Sequence, residues 1–378
     1  MTERAARLVP ACLAAALLLA AGPASAGNSV AVSGSFYVDS WVIPGSAGQT
    51  RATRGVTPDG SLKVGVDIND DLSFSAKACI SCHGIELEHA AFDFQPKVWF
   101  NVQAGRLAVP FGEFSNRLDQ SGHRTVSAPL LYDMGRAAYA DRAEFNGPIV
   151  MLPYVDTGVM VYGQFFLGKA MQVWYGGWVV AGMKGAADLD WMASRTVPYT
   201  DNNRVPSTGG RLALTLTSDG SRFIGDVSLG ASYTGGRYDR NGTLAYHAAA
   251  VDLAIPIWKA TLRGEAAMRR TWLDPNASGY GYVLVDHFFD KRGWYAELEH
   301  PLGRYLNMVY RYDRLDRLGV PLPGSTSAMT PRSRLERGTA GLVLTPAASL
   351  FVKVSYEYWR SSLAPAFHSG HVGVGGAF

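Results

Sequence analysis

Cys79-Ile80-Ser81-Cys82-His83 is the segment of the chain with the clearest chemical meaning. Two thiols three residues apart can each add to one vinyl group of a single porphyrin, and the imidazole that follows can then reach the iron. C-x-x-C-H is therefore the attachment pattern of one covalent c-type haem. Cys79 and Cys82 would carry the thioethers and His83 would be the proximal iron ligand. The same two thiols could instead close a disulfide across a short loop, with His83 incidental. Zinc ranks below both, because a tetrahedral site needs two more ligands and no second C-x-x-C or H-x-x-x-H occurs. On the haem reading a second axial donor is needed. Of His89, His123, Met134 and His371, His123 ranks first and Met134 second, because both lie in one long link that can fold towards the haem.

The elements that hold this segment are those of an exported chain. Arg4 and Arg7 precede the apolar stretch Ala11–Ala21, and Ala24-Ser25-Ala26 is a small-residue cleavage site, so residues 1–26 read as a signal peptide. Residues 27–378 are then one domain whose two cysteines, Cys79 and Cys82, sit in an oxidising compartment, where haem attachment also takes place. Only 18% of the 378 residues are charged, 11% are aromatic, 42 are glycine, and the mean hydropathy is zero. That apolar and aromatic content excludes disorder. Beyond the N-terminus no apolar run approaches the roughly 20 residues of a spanning helix. The net charge of +3, with no Lys/Arg run, gives no reason to expect nucleic acid.

Alternation with period two recurs along the whole chain, as in Leu62, Val64, Val66, Ile68 or Val352, Val354, Tyr356, Tyr358. A soluble sandwich would show the same local pattern; the links separate the two. About sixteen strands of roughly 8–14 residues, the length that crosses a bilayer at a tilt, are joined by links of two kinds. Tight ones fall at Asn69–Asp71, Gln95–Lys97, Leu167–Lys169, Ser218–Arg222, Ile255–Pro256, His300–Gly303 and Thr345–Ala348. Long polar ones fall at Pro44–Gly60, Val109–Pro153, Gly182–Thr208, Thr271–Arg292 and Leu315–Glu336. Segregated link lengths predict an all-β, antiparallel up-and-down transmembrane barrel in the bacterial outer membrane, with both termini periplasmic. Trp258, Trp294, Tyr233, Tyr310, Tyr312, Tyr356 and Tyr358 sit where interfacial girdles would lie.

The same alternation turns Lys63, Lys77, Arg211, Lys259, Arg263, Arg269, Arg311 and Lys353 inward, with Asp67, Asp226, Glu265, Glu297, Glu299, Asp313 and Glu357. A lumen so polar suits water-borne small solutes, and its two signs nearly balance. The longest link, 109–153, carries His123, Arg124, Asp133, Met134 and Arg136 together with apolar residues that suggest packing.

The terminal strand His371–Phe378, with its final Phe, resembles the C-terminal signal of outer-membrane barrels, and Gly105–Gly112 resembles the strand-to-loop segment of phosphate-selective-type porins. By resemblance to sixteen-stranded porins, the third outer loop folds into the barrel and Arg124, Asp133 and Arg136 narrow the pore; a homotrimer is implied in the same way. Barrel and haem motif together resemble the bacterial cytochrome–porin fusions. That resemblance implies electron transfer across the outer membrane through one haem c, with a periplasmic cytochrome as partner. In those fusions the motif precedes the barrel, whereas here it falls between about the third and fourth strands. The alternative reading is a passive diffusion porin with a Cys79–Cys82 disulfide in its second outer loop.

Overall fold

Every second residue of this chain must find water or a polar partner while its neighbours must find hydrocarbon, and a closed sheet meets both demands. The computed structural model describes residues 29–43, 53–81, 84–133, 148–150, 152–185, 201–218, 223–274, 287–318, 332–362 and 365–378. Its strands are β1 (Val30–Ile43), β2 (Thr53–Asp67), β3 (Leu72–Ser81), β4 (Gly84–Lys97), β5 (Phe100–Ala108), β6 (Val155–Leu167), β7 (Met171–Val180) and β8 (Ser207–Leu216). They continue as β9 (Val227–Arg237), β10 (Ala245–Ile257), β11 (Ala260–Trp272), β12 (Phe288–Pro301), β13 (Leu306–Leu318), β14 (Arg332–Ala347), β15 (Leu350–Ser361) and β16 (Phe367–Ala377). Each pairs antiparallel with its sequence neighbours, and β16 closes on β1 with Val374 opposite Val38. The result is a sixteen-stranded barrel with no open edge.

Burial is inverted relative to a soluble protein. On β13 Arg311 and Asp313 are buried while Tyr310 and Tyr312 are exposed; on β15 Lys353 and Glu357 are buried while Val354, Tyr356 and Tyr358 are exposed. Charges inside and apolar side chains outside mean that the outer surface faces hydrocarbon. Aromatics ring both ends: Trp99, Phe165, Phe166, Trp258 and Tyr305 at the rim of short turns, and Tyr233, Trp294, Tyr312, Tyr356 and Tyr358 towards the rim of long links.

Several expected boundaries shift. Pro96, Pro256 and Pro346, expected in turns, lie inside β4, β10 and β14. Pro96 and Pro346 fall at register shifts, between Phe94 and Lys97 and between Leu344 and Ala347. Pro256 lies beyond Ala254, where pairing with β9 ends. A residue without an N–H is tolerated at such places. Lys259 and Asp226, expected on the lumen wall, lie in the links 258–259 and 217–226. At the opposite rim the strands run further than alternation indicated: β2 begins at Thr53, β12 at Phe288 and β14 at Arg332, while β13 continues to Leu318. Near those ends, outward positions carry charge, such as Arg54 on β2, Arg292 on β12, Arg314 and Asp316 on β13, and Arg334 and Glu336 on β14. The link holding the haem motif shrinks to residues 82–83, so Cys79 belongs to β3 and not to a loop.

Val251 is at the centre of β10 and points outward, beside the buried, inward Asp252. Val251→Arg is expected to cost about 2–4 kcal/mol of barrel stability, the depth-dependent penalty for a cation at mid-bilayer. Urea titration of the protein refolded into lipid vesicles measures it.

Candidate functional site

The link from β5 to β6 supplies the site. Gly112 takes a left-handed φ of +75°, and a Cβ there would stand 2.0 Å from both Glu265 Oε1 and the Tyr132 hydroxyl. The chain can therefore turn close against β11 only with glycine at this position. A single 3-10 turn, Phe114–Arg117, follows. Glu113 and Arg117, one helical turn apart, pair at 2.9 Å.

From there residues 112–133 lie against inward side chains of β3, β9, β11, β12, β13, β14 and β15. Lys77 Nζ on β3 meets Asp119 Oδ1 at 2.5 Å and Glu88 at 2.9 Å. The Gly112 N–H donates to Ser232 Oγ at 3.1 Å, the Leu130 N–H to Asp313 Oδ1 at 3.0 Å and the Val126 N–H to Ser355 Oγ at 3.3 Å. Lys353 Nζ donates to Gln120 Oε1 and to the Thr125 carbonyl, both at 3.1 Å. Tyr132 donates its hydroxyl proton to Glu265; burial first, and then that carboxylate, push the Tyr132 phenol well above its ordinary range. Phe111, Phe114, Leu130, Leu131 and Tyr132 bury their rings and side chains in the same space.

A chain of alternating charges fastens this segment to the wall. Arg117 Nη1 reaches Glu297 at 3.1 Å and Glu299 at 3.4 Å. Arg311 then bridges Glu297 (3.3 Å) and Asp313 (3.0 Å), and Arg337 bridges Asp313 (3.2 Å) and Asp133 (2.7 Å). Glu357 continues the chain to His371, whose Nε2 is 3.3 Å away. Arg311, Arg337, Glu297 and Asp313 have side chains with no exposed surface. Desolvation of such charges is offset only while every member has its partners.

Met134, Arg136, Cys82 and His83 lie outside the described residues. Asp133 is a member of the charge chain, held by Arg337, and Arg124, in the same infolded segment, is half-buried. Cys79 faces the lumen side of β3 with the parity of Lys77, opposite Ser61 and Glu86, and its Sγ is 3.9 Å from Asp59 Oδ1. His371 and His89 engage lumen partners, His89 Nε2 at 2.8 Å from Ser75 Oγ.

His123 is 2% exposed and packs against Phe114. Its Nδ1 lies 3.0 Å from the Arg117 carbonyl and 3.2 Å from that of Asp119, and its Nε2 has no partner among the described residues. Burial first, and then the nearby Lys353 ammonium, hold the imidazole well below its ordinary 6.5. Nδ1–H donation to a carbonyl leaves Nε2 with the lone pair a metal would need. The enclosed ring, however, presents no open face to a porphyrin plane. For haem the described donors thus fit in part only: Cys79 is accessible to the lumen, His123 is not.

Glu113, Arg117 and Asp119 are not singled out by the sequence, whereas Glu265 is the inward charge that alternation predicts. The i, i+4 spacing of Glu113 and Arg117 is the one signal that could have marked them.

No family model matches the chain, and no curated protein matches it. Solved structures do match in fold. An anion-selective porin from Comamonas acidovorans superposes with a TM-score of 0.58 at 13% identity, over 93% of this chain and 100% of that one. The outer-membrane channel DcaP of Acinetobacter baumannii gives 0.58 at 12%, over 95% and 100%. OmpT of Vibrio cholerae, an outer-membrane protein in its trimer form, gives 0.55 at 10%, over 93% and 100%. At such identities the likeness is one of fold: the sixteen-stranded barrel is that of outer-membrane porins.

Two outcomes follow from this geometry. Gly112→Ala places a methyl group into Glu265 and Tyr132 on a backbone that disfavours it, and is expected to displace the segment and raise single-channel conductance in a planar bilayer. The second concerns pH. The docked His123 is neutral, whereas a released one takes up a proton as pH falls through about 6.5. Docking is thus full above that pH and weakens progressively below it. Proteolytic cleavage after Arg117 or Arg124 should accelerate as pH drops from 7 to 5, a trend His123→Gln should flatten.

Proposed function

We infer that the protein is a passive solute channel of the bacterial outer membrane. The observation that carries this reading is the segment 112–133, fixed inside the barrel by ion pairs from its Arg117 and Asp133 to the buried wall charges Glu297 and Arg337. A loop fastened in this way narrows the lumen without depending on a mobile plug, and the polar wall offers small water-borne solutes a path across hydrocarbon. Short turns and both termini face the periplasm, since long links belong outside, and the barrel works as a homotrimer, by analogy with the trimer form of the Vibrio protein. It is a conduit and not an enzyme.

A second reading, electron transfer through one haem c to a periplasmic cytochrome, is favoured by one observation: Cys79 faces the lumen on the strand that Lys77 ties to the infolded segment. Bound haem would supply the redox chemistry, with Cys79 and Cys82 as its thioether residues and His83 as its iron ligand.

The two readings separate on purified protein. The channel reading expects discrete conductance steps in a planar bilayer, a colourless protein, and thiols of Cys79 and Cys82 that resist alkylation until a reductant is added. A barrel that never conducts overturns it. A haem absorbance band that survives denaturation and disappears in Cys79→Ser would establish the second reading in its place.

A further inference from the structure

A second set of charges lies on the outside of the barrel. Outward positions near the long-link ends of five adjacent strands carry Arg270 (β11), Arg292 (β12), Arg314 (β13), Arg334 (β14) and Arg360 (β15). They share three carboxylates. Asp290 takes Arg270 at 2.8 Å and Arg292 at 3.1 Å; Asp316 takes Arg314 at 2.6 Å and Arg334 at 3.0 Å; Glu336 stands 4.0 Å from Arg360. Among the described residues, five cations over three anions leave this band net positive. The side chains of Arg292, Arg334 and Arg360 are 53%, 51% and 72% exposed, so their forks present donors outward.

Depth identifies what they meet. Arg314 follows the exposed Tyr312 by two residues, Arg292 precedes the exposed Trp294 by two, and Arg360 follows the exposed Tyr358 by two. At about 3.3 Å per residue and a tilt of roughly 40°, two residues lift a side chain about 5 Å along the membrane normal. The polar layer on each side of the hydrocarbon is about 5–8 Å deep. The arginines therefore stand in the headgroup layer directly above the aromatic girdle. Towards the short turns, the outward positions of the same strands are apolar or aromatic, such as Leu262, Met268, Leu298, Leu342 and Val354.

We propose that this arginine band binds the phosphate groups of an anionic phosphorylated lipid in the leaflet at the long-link rim. Guanidinium forks match phosphate oxygens in pairs, and the shared carboxylates fix the spacing of the arginines while the exposed forks of Arg292, Arg334 and Arg360 face outward. The proposal rests on the transmembrane channel reading above and adds to it a lipid partner of stated charge.

The test uses the full-length protein reconstituted in phosphatidylcholine vesicles with and without bis-phosphorylated lipid A. Retained lipid is counted by native mass spectrometry after extraction, for wild type and for the triple variant R292Q/R334Q/R360Q. Retention is expected to fall by at least about tenfold in the variant. Lys259→Gln with Arg304→Gln, at the opposite rim, should leave it unchanged. Equal retention by wild type and triple variant overturns the proposal, as does an equal loss in the control pair. Displacement of the lipid by millimolar inorganic phosphate would make this an ion site and overturn it too. So would a change of oligomeric state in the triple variant in neutral lipid, which would assign the band to a second copy of the chain. Heat-modifiable migration on a gel confirms that each variant is folded. Conductance of the same vesicles reports separately on the channel: a closed barrel with arginine-dependent lipid retention overturns that reading alone.

Discussion

Buried charge governs this molecule. Filling a barrel with a folded segment removes water from the inward charges of β11–β15, and an uncompensated ion there would cost several kcal/mol. The structure meets the constraint by sharing: Asp313 serves both Arg311 and Arg337, and Glu297 serves both Arg117 and Arg311. One arginine of the four links, Arg117, comes from the infolded segment, so wall and loop complete each other's coordination. The loop's position follows from the wall's need for partners as much as from its own apolar residues. Phe114, Leu130 and Tyr132 then fill the volume between the charges, and Gly112 makes the entry geometrically feasible.

The barrel itself was legible because its two solvents differ so strongly. Tyr310-Arg311-Tyr312-Asp313 states the inside and the outside of β13 in four residues. Strand ends were less legible for a physical reason. Where a strand leaves hydrocarbon, its outward residue is free to carry charge, and the alternation that marks the strand disappears while the ladder continues. Arg314, Asp316, Arg334 and Glu336 are such residues, and the link expected over Leu315–Glu336 contracts to 319–331. Prolines misled in the opposite direction: Pro96, Pro256 and Pro346 look like turn residues, yet each sits where a neighbouring strand has shifted or stopped.

The site was legible only in its local parts. C-x-x-C-H can be seen because its chemistry is encoded in adjacent residues, and the inward charges because parity encodes them. Which charge meets which cannot be read, since Arg117 and Glu297, or Asp133 and Arg337, are brought together by closure of the whole barrel. His123 illustrates the difference. As a sequence feature it is an imidazole in a long loop; in the fold its environment is set by Phe114 and by carbonyls of its own turn.

β13 shows how the two charge systems constrain one another. Arg311, Asp313 and Arg317 are inward, while Arg314 and Asp316 are outward, so a single strand gains charge on its outer face, beside that on its inner face, as it rises out of the hydrocarbon. A slip of one residue would turn Arg311 and Asp313 to lipid and Tyr310 and Tyr312 to the lumen. An arginine exposed at mid-bilayer costs about 2–4 kcal/mol, and the partners left inside, Glu297 and Arg337, would each lose a counter-ion as well. Both penalties act in the same direction on the same strand. The register of β13 against β12 and β14 is thereby fixed, and with it the height at which the outer arginines stand relative to the membrane.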